Sequence, residues 1–245
     1  HKLAGAEACL SPIADHAKAD DWTFVDSTNQ LGAFALMRHI TGETKYTDKA
    51  YEFYDSLKRT ADATGLYDEQ AHLWFRDAHF LPPATTPNGR PNFWSRGNGW
   101  NIGGTVMALT YLPESDPHYG EYLQTLQDML AAVVPLQRAD GFWNACLTDP
   151  DYVAGPETSG TAYFVMGLAW ALKHGAVEGA SYWESLDRAW SALVETAVQP
   201  DGFLGYCQPD ADEPADGYPF TAADTNPYCV GIFLLAASEV ARLYD

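Results

Sequence analysis

Four times along this chain a short polar cluster runs straight into an apolar helical pattern rich in small residues. The clusters are Val25-Asp26-Ser27-Thr28-Asn29, Arg96-Gly97-Asn98-Gly99, Glu157-Thr158-Ser159-Gly160 and Asp224-Thr225-Asn226-Pro227. They recur about every 60–70 residues, long enough for two antiparallel helices and two loops, and a fixed period of that kind marks a repeat architecture. Apolar 3.6-residue periodicity predicts helices over 28–41, 99–112, 160–174 and 227–243 behind the clusters. It also predicts helices over 3–17, 46–62, 118–137 and 181–197 between them. A helix that is apolar nearly all round is a buried one. The first set therefore reads as an inner layer and the second, amphipathic, as an outer layer: an all-α toroid of helical hairpins. Its inner helices are predicted to begin near Ser27, Gly99, Ser159 and Asn226.

Smaller signs agree. The triplet Asp-Gly-Phe recurs at 140 and 201, each time closing a helix. Gly42 and Gly175 read as C-terminal stops. Ser181 with Glu184 three residues on reads as a capping box. A closed six-hairpin ring at about 60 residues per hairpin needs about 360 residues, and this chain has 245. The expectation is one toroid domain over 1–245 with about four of six hairpins, lacking those at the N-terminus. Its unpaired edge should then be completed by self-association or by an upstream segment.

Composition excludes several classes. With 14 basic and 33 acidic residues the formal charge is −19, the wrong sign for a nucleic-acid partner or an anionic membrane surface. At 47% apolar and 19% charged residues the chain has ample material for a core, which excludes disorder. No apolar run approaches the ~18 residues of a membrane span. Cys9, Cys146, Cys207 and Cys229 show no metal spacing and no disulfide framework, so they read as mostly buried thiols and leave the redox compartment open. No metal and no cofactor are called for.

In a toroid the inner-helix N-termini converge on one end, where free N–H groups and dipoles favour anionic and polar ligands. The densest cluster there is Asn92-Phe93-Trp94-Ser95-Arg96-Gly97-Asn98-Gly99-Trp100. Arg96 offers a planar fork for a carboxylate, the Trp rings offer stacking faces, and the glycines allow backbone to come close. Together they suit an acidic sugar. A tight turn with two core Trp residues is the structural alternative, and Ser27, Ser159 and Thr225 also read as ordinary N-caps.

The stretch FWSRGNGW at 93–100 resembles the signature of glycoside hydrolase family 105, the unsaturated rhamnogalacturonyl hydrolases, related to the family 88 unsaturated glucuronyl hydrolases. Further segments resemble the family in the same order: 20–26, 41–46, 73–78, 137–143, 157–162 and 201–206. The resemblance implies an (α/α)6 barrel. It also implies that the chain removes a 4,5-unsaturated uronic acid from the non-reducing end of lyase-generated oligosaccharides, by hydrating the C4=C5 bond. By position Asp26 is the acid that protonates C4, with Trp22 and Phe24 beside it to keep it protonated. The implied substrate-binding residues are Trp22, His72, Arg76, Trp94, Arg96, Asn98, Trp100, Thr158 and Ser159. Which of His72 and Arg76 faces the site stays open. An earlier segment of the family, with a second active-site Asp, has no match before Asp20. The sugar beside the uronate, from pectin, ulvan or another glycan, also stays open. The expected compartment is the bacterial cytoplasm, with the periplasm as the alternative. Three other readings compete. One is an inverting glycosidase pairing Asp26 with Glu157 or Asp224. A second is a sugar-binding arc without turnover. The third rests on the similarity of 137–143 to the structural repeat of terpene cyclases, unsupported by any Asp-rich motif.

Overall fold

The computed structural model describes residues 2–16, 25–59 and 65–245. Its α-helices are α1 Lys2–His16, α2 Leu31–Thr41, α3 Lys45–Lys58, α4 Ser95–Tyr111, α5 Tyr119–Val133, α6 Thr158–Lys173, α7 Ala180–Ala192 and α8 Pro227–Tyr244. A two-residue hairpin, β1 Tyr67–Asp68 and β2 Leu73–Trp74, interrupts the connection from α3 to α4. Along the inner layer α2 packs on α4, α4 on α6 and α6 on α8, while α3, α5 and α7 each pack behind the helix before them. The architecture is an arc of helical hairpins.

The layers follow from the sequence pattern. Nearly every residue of α4 and α6 is buried, whereas α3 buries one stripe, including Tyr46, Ala50, Phe53, Tyr54 and Leu57. The close approach of α4 to α6 depends on two glycines. A Cβ on Gly99 or on Gly103 would lie 2.6 Å from the Tyr163 side chain. That contact explains why poor helix formers sit inside a helix. α4 starts a full turn before the predicted Gly99. Trp94 forms a β-bridge with Cys146, and the Ser95 N–H donates to the Ala145 carbonyl at 2.8 Å, so tertiary bonds set the start.

The caps differ from those predicted. Glu157, not Ser159, caps α6, its carboxylate accepting from Ser159 N at 2.8 Å and Gly160 N at 2.7 Å. Asn226, not Thr225, caps α8 through Cys229 N at 2.9 Å. α7 begins at Ala180 after Gly179 with no side-chain cap, so the Ser181–Glu184 box is absent. Gly42 ends α2 in the left-handed region, φ 79°. The Asp-Gly-Phe repeat is a repeated turn. Asp140 accepts from Phe142 N at 3.2 Å and Asp201 from Phe203 N at 3.0 Å.

Two expectations are corrected. Cys207 and Cys229 form a disulfide that ties the loop before α8 to its first turn, so only Cys9 and Cys146 are thiols. Burial pushes the Cys146 thiol up to about 11. Nothing in the 22-residue separation signals a bridge. Second, α8 has 18 residues at a mean hydropathy of 1.2, long and apolar enough by length and composition to cross a membrane. In the arc it lies against α6 and leaves Tyr228, Leu234 and Leu235 exposed.

Candidate functional site

A cavity of about 470 Å³ opens where the inner helices begin, lined by Asn29, Arg96, Trp100, Tyr163, Asp210, Tyr228, Gly231, Ile232 and Leu235. Each inner helix contributes. Asn29 lies in the 3-10 turn Val25–Gln30 that leads into α2. Arg96 and Trp100 come from the first turns of α4, Tyr163 from α6 and Tyr228 from α8. Asp210 comes from the loop held by the disulfide.

Arg96 is 3% exposed. Its guanidinium carbon lies 5.0 Å from the Trp94 ring centroid and 5.6 Å from that of Trp100. Nη1 donates to the carbonyls of Gln208 at 3.0 Å and Pro209 at 2.8 Å. Nε is buried without a partner. Desolvation pushes its pKa down; Glu157 and Asp210 pull the other way and Arg76 adds to the fall. An arginine nevertheless stays charged at any ordinary pH. The result is a cation with stacked faces, one anchored nitrogen and one N–H in want of an acceptor. Burial pushes the Tyr163 phenol up to about 12, against hydrogen bonds with Asn29 and Trp100 and the charge of Arg96. It therefore remains a neutral hydroxyl beside that cation.

Other predicted site residues are placed differently. Trp94 is buried, and its indole N–H donates to Gln208 Oε1 at 2.8 Å. Its ring supports Arg96 and, at 5.5 Å, the Arg76 guanidinium, and presents no open face. Asn98 clamps the hairpin to α4, accepting from Trp74 N at 2.8 Å and donating to the Trp74 and Trp94 carbonyls at 3.0 Å. Thr158 donates to the Gly205 carbonyl at 2.8 Å and Ser159 to Glu157 at 2.6 Å. None of these four side chains lines the cavity; helix-start backbone groups need partners, and these residues tie the loops around them. His72 sits in the hairpin turn, its Nδ1 3.1 Å from the Tyr67 hydroxyl. Arg76 lies on the Trp94–Arg96 side and bonds Asp77 at 2.9 Å and the Asp212 carbonyl at 3.2 Å. Asp26 has its backbone in the turn before α2, but its side chain and that of Ser27 lie outside the described residues, as does all of Trp22.

Asn29 belongs to the first polar cluster expected at this mouth, whereas Tyr163, Tyr228, Asp210 and the buried Gln208 escaped the sequence reading. Gly99 and Gly103, four apart on one helix, were the available sign that a large side chain faces α4. The carboxylates of the rival inverting pair are committed elsewhere. Glu157 caps α6, and Asp224 is held low by hydrogen bonds from Thr221. Among the described residues no group of three metal-ligating side chains converges.

The family model described as Glycosyl Hydrolase Family 88 matches residues 18–244. The chain belongs to Glycosyl Hydrolase Family 88. A family 88 structure from Bacteroides vulgatus is 33% identical with a TM-score of 0.90, over 99% of this chain and 69% of that one. A structure described as a polysaccharide lyase is also 33% identical, TM-score 0.89, over all of this chain and 68% of that one. An unsaturated 3S-rhamnoglycuronyl hydrolase from Alteromonas is 34% identical over 85% of this chain and 48% of its own length. The chain spans about half the length of the curated relatives it matches. Of the two related families that the signature resembled, the matching model is that of family 88.

Proposed function

We propose that this family 88 chain holds the uronate of a 4,5-unsaturated oligosaccharide and releases that sugar from the non-reducing end by hydrating C4=C5. The observation that carries the reading is Arg96, a buried cation at the cavity wall with an unpartnered N–H between two indoles. A carboxylate supplies the missing acceptor, and a charge-assisted bond in a dry site is strong. Trp100 and Tyr228 give the sugar ring apolar faces. Asp26, on the same turn into α2 as Asn29, is the proton donor to C4. Water adds at C5, the hemiketal opens, and the neighbouring sugar leaves. The Alteromonas relative carries an unsaturated rhamnoglycuronyl hydrolase name, which supports the same reaction class here.

The test follows the ultraviolet band of the conjugated ene-acid on lyase-generated oligosaccharides. Loss of the band with release of the next sugar is expected. The shape-matched Asp26→Asn variant should lose about 10²–10⁴-fold in rate while binding is kept. A gain of absorbance on an uncleaved polysaccharide would instead mark a lyase, and normal turnover by Asp26→Asn would remove Asp26 from the mechanism.

The exposed edge of α8, with Val230, Leu234 and Leu235, is an apolar face on which another helical hairpin or a second copy can pack. A second copy taking that place would show as a dimer in sedimentation. The Cys207–Cys229 bridge favours an oxidising compartment, the periplasm over the cytoplasm. Full alkylation of four thiols in protein isolated without reductant would contradict it.

A further inference from the structure

Arg96 is placed by a residue that does not itself line the cavity. Gln208 is fully buried and follows Cys207, whose bridge to Cys229 ties it to the first turn of α8. The Cys207 N–H donates to the Asp224 carbonyl at 2.9 Å, and the Gln208 carbonyl accepts from the Asn226 side-chain amide at 2.6 Å. The backbone here is therefore fixed from the α8 side before the loop runs on to Asp210.

From that fixed point Gln208 reaches the start of α4 in two ways. Its carbonyl also accepts from Arg96 Nη1 at 3.0 Å. Its side-chain Oε1 accepts from the Trp94 indole N–H at 2.8 Å, while Nε2 donates to the Pro214 carbonyl at 3.0 Å. Bonds on both sides orient the amide, and an amide is the neutral side chain that accepts at one end and donates at the other. The β-bridge to Cys146 sets the backbone of Trp94 but leaves its ring free to turn. The indole has one proton to give, and it goes to Gln208. The ring held in this way carries the Arg96 guanidinium 5.0 Å from its centroid. Gln208 thus meets both the plane beneath Arg96 and the nitrogen at its end. Without it Arg96 keeps the Pro209 carbonyl at 2.8 Å and the Trp100 face at 5.6 Å, enough to stay in place and too little to fix its tilt.

We infer that Gln208 is the positioning residue of the Arg96 grip. Through Trp94 and through its own carbonyl it sets the plane of the guanidinium, and with it the direction of the Nε–H offered to a carboxylate, without touching the sugar. The step to the uronate rests on the function proposed above; the control of Arg96 does not.

The first measurement therefore needs no ligand. Arginine side chains are labelled with ¹⁵N, and the Arg96 Nε signal is assigned by its loss in Arg96→Lys. Gln208→Met keeps the side-chain length and removes both side-chain hydrogen bonds. In it the Arg96 order parameter should fall from the rigid value of about 0.85 into the flexible range below about 0.6. Gln208→Glu keeps an acceptor for the indole N–H and should hold Arg96 ordered. Should the methionine variant not fold, Gln208→Asn, one methylene shorter, withdraws the same acceptor. Kinetics on an unsaturated disaccharide then test the link. Gln208→Met should raise KM about tenfold, the order of one lost hydrogen bond, with kcat little changed, the pattern of binding lost equally from ground and transition states. An Arg96 signal as ordered in Gln208→Met or Gln208→Asn as in the unaltered chain overturns the positioning role, even where the denaturation midpoint falls. Equal disorder in Gln208→Glu and Gln208→Met overturns the route through Trp94. A disordered Arg96 with an unchanged KM supports the positioning role and overturns only the placement of the uronate at Arg96.

Discussion

Arg96 is held on three sides, and its geometry differs from that of a bare positive charge. Two carbonyls fix Nη1, two indoles fix the plane, and Nε is left over. Lysine keeps the charge but has neither plane nor fork. Arg96→Lys should therefore raise KM by about 1.5–3 kcal/mol of lost binding, roughly ten- to a hundredfold, and leave two carbonyls without their donor. Steady-state kinetics at saturating and limiting substrate check it; an unchanged KM would show that the uronate sits elsewhere. Arg96 and Trp100 were legible in the sequence as residues of the cavity wall, because an arginine fork beside an indole at a helix start reads as a ligand-facing pair. Trp94 looked identical to Trp100 there, because a sequence does not record which way an indole faces. It was buried by the bridge to Cys146 and the bond to Gln208, both distant in the chain. Tyr163 and the Cys207–Cys229 bridge were hidden for the same reason.

Helices were the most legible level, and their ends the least. Each predicted periodic segment corresponds to one of α1–α8, because burial on one face or all round leaves a direct imprint on composition. The starts moved where another group took over, the neighbouring Glu157 for α6 and the distant Ala145 carbonyl for α4. The α4–α6 contact makes a quantitative prediction. Replacing Gly103 by Ala improves helix propensity by up to about 1 kcal/mol. It also sets a Cβ 2.6 Å from the Tyr163 ring, and overpacking costs about 1–3 kcal/mol. Gly103→Ala should lower the denaturation midpoint and displace Tyr163 from the cavity wall. Gly120→Ala on α5, where nothing lies within 4 Å of the added Cβ, should leave the midpoint unchanged or raised. Equal behaviour of the two variants in a denaturant titration would show that α4 and α6 can part without cost.

At the scale of the whole molecule, the repeat made the toroid readable, since four inner helices at a regular period can bury their faces only on one another. The cavity lies at the end where those helices begin, so the fold itself gathers Asn29, Arg96, Trp100, Tyr163 and Tyr228 from distant parts of the chain. On the function proposed above, that convergence is what brings the groups that hold the uronate to one mouth. The most direct test is to run the reaction in D₂O and follow the first-formed product by NMR, using whichever length of the protein turns over. Hydration places one deuterium on C4 and removes the C4=C5 bond as the neighbouring sugar is released. A first product that keeps C4=C5 intact and carries no deuterium at C4 would mean attack at the anomeric carbon and would contradict the mechanism.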